Sequence, residues 1–141
     1  MRSKFRAIAR VKQQLLETKE AALLEARANV ARIGQEIQDV QEALDAQALP
    51  QKGTYTEVLH VKAIAQKLME QKRFLREMQE RAQGEVNACL YHYKEARKEF
   101  EKIKYLEEKE YAAMVKALKK QEQLTLDEVA LQLYALGGKG Q

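Results

Sequence analysis

The sequence predicts an all-α protein, an antiparallel two-helix coiled-coil hairpin whose second helix is the longer. Three observations carry this. Apolar residues recur at alternating gaps of three and four, which keeps them on one seam of a helix every 3.5 residues. Pro50, the only proline, stands beside Gly53 in one short break. The composition is that of a coiled coil, with 33% charged residues, 6% aromatics and no Trp.

The first helix is expected over about residues 3–47. Its seam reads Ile8, Val11, Leu15, Thr18, Ala22, Ala26, Val30, Ile33, Ile37, Val40, Leu44. Consecutive gaps of four from Thr18 to Val30 read as a stutter, which relaxes the left-handed supercoil. The turn is expected at about 48–55, because Pro50 cannot continue a helix and disfavours helical angles at Leu49. Gly53 supplies the permissive backbone of a turn. Thr54 or Thr56 can cap the second helix, and Thr54 with Glu57 three residues later has capping-box spacing.

That helix is expected over about 56–136, and between Thr56 and Leu136 only Gly84 interrupts good helix formers. An unbroken helix of that length would run on the order of 120 Å. Its seam reads Val61, Ile64, Leu68, Gln71, Leu75, Met78, Ala82, then, after a second four-residue step, Val86, Cys89, Tyr93, Ala96, Phe100, Ile103. Folded back, the two stutters fall opposite each other, which favours the antiparallel pairing. Thr125 with Glu128 also has capping-box spacing, but the helix formers from Lys119 to Gln123 favour continuation. Gly137, Gly138 and Gly140 are read as ending the helix, with residues 137–141 a disordered tail.

The arms are unequal. Pairing is expected to use the second helix to about residue 100, leaving roughly 101–136 with Ile103, Leu106, Tyr111, Met114, Leu118, Leu124, Val129 and Leu133. A lone helix with such a stripe is unstable in water, so the overhang implies a partner. The first sixteen residues hold Arg2, Lys4, Arg6, Arg10 and Lys12 and no acid. Cations at a helix start oppose its macrodipole, which points to an acidic partner.

Catalytic chemistry finds no motif. His60 and His92 are far apart along the chain. Cys89, His92 and Glu85 lie one turn apart, but a closed zinc site needs a fourth ligand. No phosphate-cradling loop, HExxH or nucleophile motif is present, so neither enzyme activity, cofactor, metal nor small-molecule substrate is expected. The lone Cys89 reads as a small seam hydrophobe and fits a reducing compartment. The net charge of +4 and pI near 9.1 argue only weakly for nucleic acid. Tyr91, Tyr93, Tyr105 and Tyr111 read as core or seam residues rather than base-stacking platforms. The mixed charges of Lys94–Glu110, with pairs such as Glu99–Lys102 and Glu101–Lys104, read as a solvated face. No apolar run reaches membrane-span length, and the chain reads as soluble and cytoplasmic.

Particular residues carry a resemblance. Phe5, Ile8 and Val11-Lys12 form an amphipathic opening. Leu106-Glu107-Glu108-Lys109-Glu110, Lys120-Gln121-Glu122-Gln123 and Leu126-Asp127-Glu128-Val129-Ala130 form a charged, then small-apolar, close. Over nearly its whole length the chain resembles the FliJ family of the flagellar type III export apparatus and its injectisome relatives. The resemblance implies a non-enzymatic stalk, similar to the shaft of rotary ATP synthases. Such a stalk stands in the bore of a hexameric export ATPase and links it to the cytoplasmic domain of the export gate, at the inner membrane, with export chaperones as further partners. By that likeness Arg2, Lys4, Phe5, Arg6, Arg10, Ile103, Leu106, Tyr111, Met114, Leu118, Asp127 and Glu128 would face the ATPase. Val40, Ile64, Leu68 and Leu75 would face the gate, although Ala43 and Gln47 stand where some relatives carry tyrosines. The alternative is a homodimeric coiled-coil scaffold or adaptor, in which two chains cover each other's overhangs.

Overall fold

The computed structural model describes residues 4–47 and 53–139. The expected Pro50 break and the N-terminal Arg2 lie outside the described residues. Helix α1 spans Lys4–Asp45 and helix α2 spans Tyr55–Lys139. They form a helical hairpin with the longer helix second, as the periodicity predicts. Among the described residues no other element is present.

The ends of the helices follow from local chemistry. At the end of α1 the Ala46 amide reaches Glu42 O at 2.9 Å, and the Gln47 amide tightens to Leu44 O at 3.1 Å. Such i→i+3 bonding satisfies late carbonyls of a helix. Thr54 caps α2, its hydroxyl accepting the Glu57 amide at 3.3 Å. Thr125 does not start a new helix; its hydroxyl donates back to Gln121 O at 2.9 Å, within a continuous α2. The helix also carries past Leu136, through Gly137 and Gly138, to Lys139.

The chain divides into two units, Leu15–Ala96 and residues 1–14 with 97–141. In the first, one line of covered positions on α1 runs Leu16, Lys19, Leu23, Ala26, Val30, Ile33, Ile37, Val40 and Leu44, with Ala22, Gly34, Glu36 and Gln41 half-buried beside it. The matching line on α2 runs Val61, Ala65, Leu68, Lys72, Leu75, Gln79, Ala82, Val86, Cys89, Tyr93 and Ala96, with Val58, Ile64, Met78 and Leu90 half-buried beside it. Both rows alternate three and four without a break. The two stutters expected from the sequence are absent, and with them the argument from their alignment. Polar residues occupy the positions that the apolar pattern skipped. Lys19 takes the place expected for Thr18, Lys72 that of Gln71 and Gln79 that of Met78. Long polar side chains lay their stems on apolar neighbours and keep their heads wet, so they serve on a seam.

The antiparallel register is visible in contacts. Lys72 Nζ bonds Gln41 Oε1 across the seam. The Gln79 amide nitrogen lies where a Cβ on Gly34 would meet it at 3.3 Å. Leu23, Ala26 and Val86 form a buried cluster flanked by Val30, Cys89, Leu90 and Tyr93. Ile33, at 1% exposure, is the most deeply buried large side chain described. The outer face of α1 carries a ladder of amides and acids one turn apart, Gln35 to Asp39 at 3.0 Å and Gln41 to Asp45 at 2.8 Å. Such pairs each stabilise a helix by about 0.2–0.5 kcal/mol.

Gly84 lies inside α2, and a methyl group there would point into open space, with no atom within 4 Å of its Cβ. Gly84→Ala should therefore stabilise the fold by about 0.5–1 kcal/mol, through helix propensity alone. Chemical denaturation should show a higher midpoint with an unchanged slope.

In the second unit α1 contributes Phe5, Ala9 and Lys12, and α2 contributes Phe100, Ile103, Glu107, Glu110 and Met114. Ala9, not Ile8, is the buried residue, and Ile8 and Val11 face out at 43% and 62% exposure. In the other unit Leu15, also expected on the seam, is exposed. Lys12 Nζ pairs with Glu99 Oε2 at 2.6 Å, so Glu99 reaches across to α1 rather than along α2 to Lys102. Glu101 accepts from Arg97 at 3.0 Å rather than pairing with Lys104.

The bond from Lys12 and its positive charge hold the Glu99 carboxyl below its ordinary pKa. A depressed folded-state value gives stability that is present above the ordinary carboxylate range and lost as pH falls through the lowered value. The difference in thermal midpoint between wild type and Glu99→Gln should thus shrink on acidification. Melting curves at neutral and acidic pH check this.

Candidate interaction surface at the end of α2

Half-burial along α2 continues to Val115 and ends there; every described position from Lys116 to Gly137 is exposed. The free arm therefore starts later than the expected residue 101. Half-buried Ile103, Glu107, Glu110 and Met114 continue the heptad spacing of α2 past that residue.

The exposed arm is not an ordinary solvated helix. Leu118, Leu126, Val129, Leu133 and Leu136 lie along one side by helical spacing. Leu124 and Leu131 lie on another, and Tyr134, at 82% exposure, on a third. A helix that is apolar around most of its circumference is a helix meant to be enclosed. Exposed apolar area of this extent marks a surface that another molecule covers. Glu122, Asp127 and Glu128 are its charged groups between Lys120 and Lys139. Asp127 accepts a bond from Gln123 at 3.1 Å, one turn back.

The sequence-derived residues fall into three groups. Tyr111, Leu118, Asp127 and Glu128 are exposed on α2, and Lys4, Arg6 and Arg10 are exposed on α1. Lys4 Nζ lies 5.2 Å over the Phe5 ring, a cation–π contact at the helix start. Phe5, Ile103, Leu106 and Met114 are half-buried, so they are shared between the hairpin and any partner. Leu124 and Leu133 belong to the stripe expected on the overhang, whereas Leu126, Leu131, Tyr134 and Leu136 are exposed apolar residues that the expected site does not include. Their signal was present in the sequence as an apolar run that keeps to no single face.

The residues expected to face a gate are placed differently. Val40 and Leu75 are buried, and Ile64 and Leu68 half-buried, in the seam of the Leu15–Ala96 unit. What that region offers outward is a groove beside them. Its apolar floor is Leu44, Val61, Ala65 and Met69, and its rim carries Lys62, Lys72, Arg73 and Arg76 against Asp45.

Among the described residues no cluster of His, Cys, Asp and Glu has the arrangement of a metal site. Partial burial, the Glu85 carboxylate 3.6 Å from the thiol and its bond to it raise the Cys89 pKa, with Lys19 pulling the other way. A thiol held protonated is a weak nucleophile and a weak ligand. Tyr91, Tyr105 and Tyr111 are exposed rather than on the seam, and Tyr91 stacks edge-on against His92 at 5.5 Å. Among the described residues, no helix is long and apolar enough to cross a membrane.

A family model described as flagellar FliJ protein matches residues 1–139. The chain belongs to the FliJ family. It is thereby a flagellar export-related protein of a non-catalytic family, and the hairpin with its free arm is a FliJ-family hairpin. No curated protein and no solved structure matches it.

Proposed function

We propose that this FliJ-family protein is the central stalk and escort of the flagellar export ATPase. Its free α2 arm stands in the bore of the hexameric ring, and the turn-proximal part of the hairpin contacts the cytoplasmic domain of the export gate. The observation that carries the reading is the arm from Lys116 to Leu136, apolar on several faces and exposed at every described position. A ring bore encloses a helix from all sides, as such a surface requires. The exposed cations Lys4, Arg6 and Arg10 would meet acidic groups at the mouth of the ring. In the Leu15–Ala96 unit the groove of Met69 and its basic rim, rather than the covered Val40 and Leu75, would take the gate or an export chaperone. The stalk hydrolyses nothing. It acts by binding some states of the ring better than others, which biases the equilibrium among them. The protein works in the cytoplasm, peripherally held at the inner-membrane export apparatus.

The test is ATP hydrolysis by the cognate export ATPase, titrated with this protein and with a Leu126→Asp/Leu133→Asp variant. Both residues are exposed, so the variant should melt as the wild type does. The wild type should stimulate turnover and the variant should not. Equal stimulation by both would remove the arm from the bore.

A further inference from the structure

The second apolar line on α1 belongs to no pairing within the chain. Lys4, Ile8 and Val11 follow one another at gaps of four and three beside the seam, and Ile8 and Val11 are exposed. The stretch Lys4–Gln14 contains Lys4, Arg6, Arg10 and Lys12 and no acid. The segment Gln121–Leu136 of α2 has the opposite character. It contains Glu122, Asp127 and Glu128 and no cation. On one side of it Leu124 and Leu131 bracket Asp127 and Glu128 at gaps of three and four, an apolar pair around an acidic pair.

From this complementarity we propose that two copies of the chain associate through these surfaces. Each lays its Leu124–Leu131 face along the Lys4–Val11 line of the other. α2 is continuous, so the arm cannot turn back onto its own α1. The arrangement is reciprocal, since each copy gives an arm and receives one, and such a contact closes on a twofold axis. Leu124 and Leu131 would cover Ile8 and Val11, while Asp127 and Glu128 would stand among the cations of Lys4–Lys12. The dimer occupies the same arm that the ring would enclose. If the stalk reading holds, the two are exclusive, and the dimer is a storage form that covers the Leu124–Leu131 face of the arm.

Sedimentation velocity on the full chain, from micromolar to near-millimolar concentration, tests the proposal without any ATPase. The wild type should pass from one chain to two as concentration rises, and less readily at high salt. Val11→Glu and Leu131→Glu should each weaken association by at least about tenfold. Both positions are exposed, so thermal midpoints should not move. Mixing the two variants restores one intact contact, from the Leu131→Glu chain's α1 to the Val11→Glu chain's arm. The mixture should associate more tightly than either variant alone. A wild type that sediments as a single chain throughout overturns the proposal. So does a dimer indifferent to Val11→Glu, or a mixture no tighter than its components.

Discussion

Ile33→Ala should cost the hairpin about 2–4 kcal/mol, the largest loss expected from any single truncation in it. Ile33 is 1% exposed, and its neighbours on the seam include Val30, Ile37 and Val40 on the same helix. Removing its outer carbons forfeits their transfer energy. It also leaves a space that two helices locked in register cannot close. The thermal midpoint should fall by about 10 °C. Leu24→Ala is the control, because Leu24 sits one residue from a buried position yet faces solvent. Its midpoint should stay close to that of the wild type. A small loss at Ile33 would mean that the seam relaxes around the gap, and that the two helices are held less tightly than the burial implies.

A chain ending at Val115 should lose all stimulation of the export ATPase while melting at the wild-type temperature. Nothing from Lys116 to Gly137 is covered by the rest of the chain, so its removal takes no packing from the hairpin. Circular dichroism should show fewer helical residues per molecule but the same midpoint. Two-thirds or more of wild-type stimulation by the shortened chain would place the ATPase contact on the hairpin itself, at Phe5, Ile103 or Leu106. A fall in midpoint would show that the arm supports the hairpin in a way its exposure does not reveal.

Much of the fold was legible because the period of a coiled coil is hard to imitate. The hairpin, the cap at Thr54 and the longer second helix all follow from the spacing of apolar residues and from the capping residues that precede α2. The seam of α1 is hidden before Ala26 when apolar residues alone are followed. Ile8, Val11, Leu15 and Thr18 form a continuous line, yet the covered line is Phe5, Ala9, Lys12, Leu16, Lys19, Leu23. Two lysines on the true seam hide it, since a lysine stem packs as hydrocarbon while its letter reads as charge. The same masking by Lys72 and Gln79 produces the apparent irregularity near Ala82. The site was legible in outline, as a segment of α2 lacking a partner. Its richest part does not stand out, because Leu124 to Leu136 follows no single face and so does not register as amphipathic. Val40 and Leu75 read as seam residues from their spacing and are buried there; only the family resemblance assigned them to a gate, because apolar residues on a seam look the same whether they bind a partner helix of the same chain or of another.

The polar residues on the seam also set a length. A seam of leucines alone would pair nearly as well if one helix slid along the other by a heptad, and each such step would change the projecting part of α2 by about 10 Å. Lys12 meets Glu99, and Lys72 meets Gln41, in one alignment only. A slip would separate each of these partners and leave it half-covered and alone. The lysines that interrupt the hydrophobic pattern thus act as a ruler. They hold the paired helices to one register, and so decide which residues of α2 are left beyond the pairing.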